Sequence, residues 1–257
     1  MSSQKYTNTV LLLKTQSNET SDKYTQLLTD NGFQARQIKT LVFEFKNIEL
    51  LAEKLNKASL YAGLIFSSPR CVQAVKLAFQ EADIDVKDWQ FKNNFVVGTA
   101  TYTEALQSLG FECRGSDSGN AVNLLEYMKE VVHDQGNLFL YPHGNLKSDT
   151  FSKGDEKQKI QVEGMLVYDT IDNPNIEEEI SVATNNFTET PEFMVFFSPS
   201  GLESSIKYLR TLPLFESSKL IAIGPTTEAA IKSLGLPVFG VAKQPNPKSV
   251  LELLLRK

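Results

Sequence analysis

The sequence predicts two α/β domains, each a parallel sheet with helices on both faces. Three observations predict them. Short apolar runs, rich in β-branched and aromatic residues, alternate with segments of helical periodicity, the pattern of a parallel sheet covered on both sides. The second half of the chain echoes the first at an offset of about 125–130 residues, the size of a domain rather than of a solenoid repeat. Several apolar runs stop at a turn of Ser, Thr, Gly or Pro just before a helix, where an open parallel sheet binds its ligands.

Thr9–Lys14 (TVLLLK) reads as a buried strand, followed by a polar loop to Asp22. Tyr24, Leu27 and Leu28 share a helix face that Asn31-Gly32 closes. Phe33–Lys39 alternates as a second strand, and Leu41-Val42-Phe43-Glu44-Phe45 continues extended, so a linker is expected there. Ile48, Leu51, Ala52 and Leu55 form the next helix, and Leu64-Ile65-Phe66 the third strand. A helix follows from Pro69 to about Ala82, then a strand over Asn94–Gly98. Thr99–Leu109 is a helix closed by Gly110, Phe111-Glu112-Cys113 a short edge strand, and Ala121–Val132 another helix.

The echo then begins. Leu138–Tyr141 matches the first strand and leads into a polar loop, Pro142-His143-Gly144-Asn145. Lys159–Thr170 is the second long extended segment. The strand Met194–Phe197 ends at Ser198-Pro199 as the third strand ends at Ser68-Pro69. Leu220–Gly224 matches the strand ending at Gly98, and Pro237–Gly240 is the last edge strand. Each half thus carries five expected strands, which favours a flavodoxin-like order with right-handed crossovers. Facing carboxyl ends of two such sheets would line a cleft from both sides.

The totals exclude several classes. At 257 residues the chain has room for one large domain or two small ones. The net charge is −5 and no basic tract is present, which argues against a nucleic-acid partner. Cys71 and Cys113 are the only cysteines, with no C-x-x-C, so no redox pair or zinc site is signalled. His133, at a helix end, and His143, in a loop, have no third metal ligand at useful spacing, so no metal is expected. Neither G-x-G-x-x-G nor G-x-x-x-x-G-K-[ST] occurs, and no nucleotide cofactor is expected. G-x-S-x-G is missing too, so Ser68 and Ser198 are not nucleophile elbows. The polar N-terminus lacks a secretory core, and no run approaches the roughly 20 apolar residues of a membrane span. A cytoplasmic monomer without a membrane partner is expected. Trp89, Phe91 and Phe95 read as core or a hydrophobic satellite rather than as a stacking platform.

The candidate chemistry sits on the carboxyl-end turns. These are Ser67-Ser68-Pro69-Arg70, Gly98-Thr99-Ala100-Thr101, His143-Gly144-Asn145-Leu146-Lys147, Ser198-Pro199-Ser200-Gly201 and Gly224-Pro225-Thr226-Thr227. Any one of them is most simply a helix cap, because Ser and Thr are preferred there. Together they read as a rim that binds carboxylate or phosphate through N–H groups, hydroxyls and a few cations. Tyr168 ends the second extended segment. Packing is the simplest role for a tyrosine there, but a phenol with a pKa near 10 is also a hydrogen-bond donor or general acid at neutral pH.

In order and spacing, seven strings resemble the uroporphyrinogen-III synthase family over essentially the whole chain, and specifically its animal form. They are Gly63–Arg70, Val97-Gly98-x-Ala100-Thr101, Ser118–Ala121, Gly144–Lys147, Val167-Tyr168-x-Thr170, Phe196–Leu202 and Ala222–Thr227. The resemblance implies two flavodoxin-like α/β domains, each a five-stranded parallel sheet, with a two-stranded linker. The first domain would combine residues 1–39 and 173–257, the second would be 46–166, and 40–45 with 167–172 would cross between them. The implied reaction is a lyase step without cofactor or metal. Linear hydroxymethylbilane loses water and closes to uroporphyrinogen III with ring D inverted through a spiro intermediate. The implied partner is that small-molecule octa-acid, with transient contact with the preceding enzyme of the pathway.

Under the same resemblance Ser67, Ser68, Thr101, Asn145, Ser198, Ser200, Thr226 and Thr227, with Gly144, Gly201 and Gly224, form a carboxylate cradle. Arg70 and Lys147 add positive charge, Tyr168 donates to the departing oxygen, and Thr227 joins it as a catalytic residue. His143 and Cys71 lie inside the matching strings without an implied role. The rival reading is a non-catalytic two-domain protein that binds a multiply carboxylated small molecule.

Overall fold

A computed structural model describes residues 8–15, 22–132, 137–146, 149–151 and 160–256. The chain opens with β1 (Thr9–Lys14), α1 (Lys23–Asp30), β2 (Gln34–Lys39), β3 (Leu41–Phe45) and α2 (Ile48–Leu55). Next come β4 (Gly63–Phe66), α3 (Pro69–Glu81), α4 (Lys87–Gln90), β5 (Phe95–Val96), α5 (Thr99–Leu109) and α6 (Ala121–Val131). Two long strands follow, β6 (Asn137–Gly144) and β7 (Ile160–Asp172), then α7 (Ile176–Ala183) and β8 (Phe193–Phe196). The chain ends with α8 (Pro199–Leu209), β9 (Lys219–Ala222), α9 (Pro225–Ser233), β10 (Gly240–Val241) and α10 (Pro247–Leu254).

The chain divides into two units. Met1–Val42 joins Ile171–Lys257 in one, and Phe43–Thr170 forms the other. The discontinuous unit carries a sheet in the order β2-β1-β8-β9-β10. Every neighbouring pair in it is parallel, so it has the flavodoxin-like order expected from the strand count. The continuous unit orders its strands β5-β4-β6-β7-β3. Its β4–β5, β4–β6 and β6–β7 pairs are parallel. Its edge strand, β3, precedes all the others in the chain, so the order is flavodoxin-like with the last strand moved to the front.

Side-chain alternation explains why both faces are covered. In β1, Leu11 and Leu13 join a core with α7, α8 and α9, while Val10 and Leu12 join another with α1 and α10. The continuous unit does the same. Leu64 and Phe66 of β4 pack with α2, α3 and α5, while Ile65 packs with α6. Runs buried on both faces need apolar residues at consecutive positions, and β1, β4 and β8 supply them. No helix of the described residues is long and apolar enough to cross a membrane.

Four local expectations change. Phe111-Glu112-Cys113 is no strand: only an isolated bridge between Phe95 and Arg114 forms, and Gly115 turns the chain with φ of 87°. The last edge strand is Gly240–Val241 rather than Pro237–Gly240. Pro142 and His143 are not a loop. The long β7 keeps pairing with β6 as far as Gly144, and His143 is buried. Phe91 is not core, being 88% exposed, whereas Trp89 and Phe95 are fully buried. His133 lies outside the described residues.

Candidate active site

Three adjacent strands of the continuous unit, β4, β6 and β7, bring the expected residues together. At the end of β4, Pro69 occupies the first helical turn, where a missing N–H is harmless. Ser68 is therefore the cap of α3. Its backbone is extended, and its Oγ accepts from the Cys71 N–H at 3.4 Å. That geometry turns the Ser68 hydroxyl to Tyr168, whose Oη is 3.2 Å away.

Tyr168 is half-buried on β7, with its ring edge-on to Phe43 at 5.9 Å between centroids. The β6–β7 pairing slips between His143 and Gly144, so that Gly144 stands opposite Tyr168. A Cβ at Gly144 would lie 2.5 Å from Cζ and 2.8 Å from the hydroxyl of Tyr168. Glycine is thus required there to admit the ring. Asn145 locks the same spot. Its N–H donates to the Tyr168 carbonyl at 3.2 Å, its Oδ1 accepts from the Thr170 N–H at 2.9 Å, and its Nδ2 donates to the Thr170 carbonyl at 3.3 Å. Gly144 and Asn145, expected to touch a ligand, shape and hold β7.

The electrostatics favour a protonated phenol. Burial, the largest cause, raises the Tyr168 pKa, and the Cys71 side chain adds to that. The Ser68 hydrogen bond and the Arg70 charge pull it down. Tyr168 therefore carries its proton at neutral pH. The Arg70 guanidinium stacks on the Phe43 ring, 3.7 Å from its centroid. Burial lowers the Arg70 pKa, with Tyr168 and Glu104 acting the other way, and an arginine so shifted stays charged at neutral pH. One neutral donor and one cation thus flank the same aromatic ring.

Residues that the sequence left without a role complete the cluster. Cys71 is fully buried, with Sγ 3.3 Å from Ser68 Oγ and 3.8 Å from Ser67 Oγ. Burial raises its pKa, so it is a thiol rather than a nucleophilic thiolate. Tyr141, from β6, donates to Ser67 Oγ at 3.3 Å. It packs edge-on against Phe151 and beside His143, whose Nδ1 lies 2.9 Å from the Gly144 carbonyl oxygen. Nothing local in the sequence marks Tyr141, because its partner Ser67 is 74 positions away. Thr101, on the first turn of α5, is buried. Lys147 lies outside the described residues.

The remaining expected residues belong to the discontinuous unit. Ser198 caps α8, its Oγ accepting from the Gly201 N–H at 3.0 Å and lying 3.2 Å from Ser200 Oγ. Gly201 packs against Thr40, and Ser200 is exposed. Gly224 caps α9 in extended backbone, with Thr226 exposed and Thr227 only 1% exposed. Below Ser200, residues Asp172, Asn173, Glu203, Ser204 and Lys207 line a depression of about 410 Å³. Among the described residues no three His, Cys, Asp or Glu side chains gather as a metal site.

Comparison with known proteins gives a consistent picture. The family model described as uroporphyrinogen-III synthase HemD matches residues 22–252. The chain is 30% identical to the uroporphyrinogen-III synthase of Schizosaccharomyces pombe over 250 residues, covering 94% of each protein. It is 26% identical over 180 residues to that of Chlorobaculum parvum, covering 69% of this chain and 72% of the relative. The crystal structure of uroporphyrinogen-III synthetase from Helicobacter pylori superimposes with a TM-score of 0.58 at 16% identity, covering 96% of this chain and 97% of that one. This last likeness bears on the fold.

Proposed function

The chain belongs to the uroporphyrinogen-III synthase family, and we propose from that premise how this copy works. It closes linear hydroxymethylbilane to uroporphyrinogen III, as a lyase that eliminates water. Tyr168 is the catalytic residue. Its hydroxyl gives a proton to the departing hydroxymethyl oxygen as the C–O bond breaks. The bonding pair leaves with that oxygen, so water, a cationic azafulvene and a phenolate result. The substituted carbon of ring D attacks the azafulvene, and a spiro intermediate forms. Rearrangement then inverts the ring and closes the macrocycle. The proton released when the last pyrrole is restored returns to the phenolate, so the cycle balances with net loss of water.

One observation carries the reading: a half-buried, protonated phenol held by Ser68 beside the Arg70 cation, at the carboxyl ends of parallel strands. Arg70 offsets the phenolate charge and attracts an acidic side chain of the substrate. N–H groups at the starts of α3 and α5 serve other carboxylates of the substrate. Holding a flexible octa-acid curled so that ring D meets the electrophile supplies the rest. We read the protein as a cytoplasmic monomer that takes its substrate from the preceding enzyme by transient contact. The test is to incubate it with freshly generated hydroxymethylbilane and resolve the product isomers. Isomer III is expected. Isomer I alone, the spontaneous product, would overturn the reading.

A further inference from the structure

The geometry points to Tyr141, Ser67 and Cys71 as positioning residues that act through Ser68 to aim and polarise the Tyr168 hydroxyl. This rests on the reading of Tyr168 as the acid. The five side chains come from the carboxyl-terminal halves of two strands, the turn after the third neighbouring strand and the first turn of one helix. Their polar atoms form an unbroken chain. It runs from Tyr141 Oη to Ser67 Oγ (3.3 Å), Cys71 Sγ (3.8 Å), Ser68 Oγ (3.3 Å) and Tyr168 Oη (3.2 Å).

Counting donors gives the chain a direction. A serine hydroxyl has one proton and two lone pairs. The Cys71 backbone N–H takes one lone pair of Ser68, at 3.4 Å. The Cys71 thiol faces the other, which leaves the Ser68 proton for Tyr168. Upstream, Tyr141 donates to Ser67, which leaves the Ser67 proton for Cys71. Each member then donates to the next, and Tyr168 accepts from Ser68 with its own proton uncommitted within the chain. That is the orientation an acid needs. As negative charge grows on Tyr168, each link strengthens the next. Burial supports the arrangement by keeping both Cys71 and Tyr141 protonated.

Capping alone does not account for the cluster. Ser198 makes the same cap on α8 with glycine where Cys71 stands, and nothing in capping calls for Tyr141.

The test combines kinetics with titration of the full chain. Tyrosine labelled with ¹³C at Cζ reports the Tyr168 phenol, its resonance assigned by its loss in Tyr168→Phe. Tyr141→Phe removes one oxygen and keeps the ring, and Cys71→Ala removes the thiol. Tyr141→Phe should raise the Tyr168 pKa, and each variant should lower kcat about 3–10-fold, the size of one modest hydrogen bond, with KM unchanged. Cys71→Ser, which keeps a donor and an acceptor, should restore kcat. In a Tyr168→Phe background neither substitution should lower kcat further. An unmoved Tyr168 titration in Tyr141→Phe, or an equal loss of kcat in the Tyr168→Phe background, would overturn the inference. Full activity of Tyr168→Phe would sink the acid reading instead, and the titration would still decide whether the chain polarises Tyr168.

Discussion

The turn after β4 and the turn after β8 have nearly the same backbone. Ser68 has φ −156° and ψ 159°, and Ser198 has φ −159° and ψ 158°. Each caps the N–H three residues on, and each is followed by proline. They differ at that third residue. In one it is Cys71, whose thiol ties the cap to Ser67 and lies beside the Ser68–Tyr168 contact. In the other it is Gly201, where a Cβ would meet Thr40 Oγ1 at 2.8 Å and Ser198 Oγ at 3.1 Å. Thr40 Oγ1 is buried and has no hydrogen-bond partner among the described residues. Capping physics dictates the shared part. Chemistry enters through the one position that the cap leaves open.

The widest predicted gap between the two turns lies in Tyr168, the proposed acid, whose hydroxyl the Ser68 turn contacts. Tyr168→Phe should lower kcat about 10–1,000-fold, the range of general-acid contributions, with both helices still capped. An unchanged rate would remove the chemical distinction between the turns. Next in size, Gly201→Ala should destabilise the protein by about 1–3 kcal/mol, as overpacking does. Urea titration measures this, and Thr40→Ala made in the same chain should recover most of the loss. No recovery would mean that Thr40 is not what confines position 201. Smaller again, Ser68→Ala and Ser198→Ala should each cost about 1 kcal/mol as lost caps. Only Ser68→Ala should also lower kcat at constant KM, and a matching kinetic loss in both would make the turns equivalent.

The smallest effect is one of pH. Burial raises the pKa values of Tyr141 and Tyr168 above the unfolded value near 10, so the folded state favours their neutral forms. Their contribution to stability is complete below pH 10 or so and fades as pH rises through the folded values. Urea midpoints across the alkaline range should therefore drop less steeply in Tyr168→Phe than in the native chain.

Much of the fold was legible because burial on two faces writes itself into consecutive apolar residues. Thr9–Lys14 and Thr99–Leu109 have the expected bounds in the structure. The misreadings came where tertiary partners overrule local signals. Pro142 and His143 look like a turn, yet a long neighbouring strand keeps them extended and buried. Phe111 and Cys113 alternate like a strand, but the single rung falls beyond them at Arg114. At the site, Ser68, Arg70 and Tyr168 stand out by residue type and position. Asn145 stands out only through its string, and that both ends of its amide are engaged by β7 is visible only in the fold. Tyr141 and Cys71 could not be linked in advance. Their connection passes through Ser67, and it exists only once β4 and β6 lie side by side.

The position of β3 has a consequence for how the protein is made. Residues 43–170 can be completed while translation is still under way, because their edge strand is synthesised before the strand it joins. Residues 1–42 must wait, since β1 pairs with β8 through contacts such as Val10 with Phe193. The earlier-made segment should therefore fold after the later-made one, against the usual order of synthesis. We predict that, in a chain ending at Asp172, the described residues between 43 and 170 will be protected from trypsin and those between 8 and 42 will be cleavable. Equal protection of both would show that the early segment does not wait for the C-terminus.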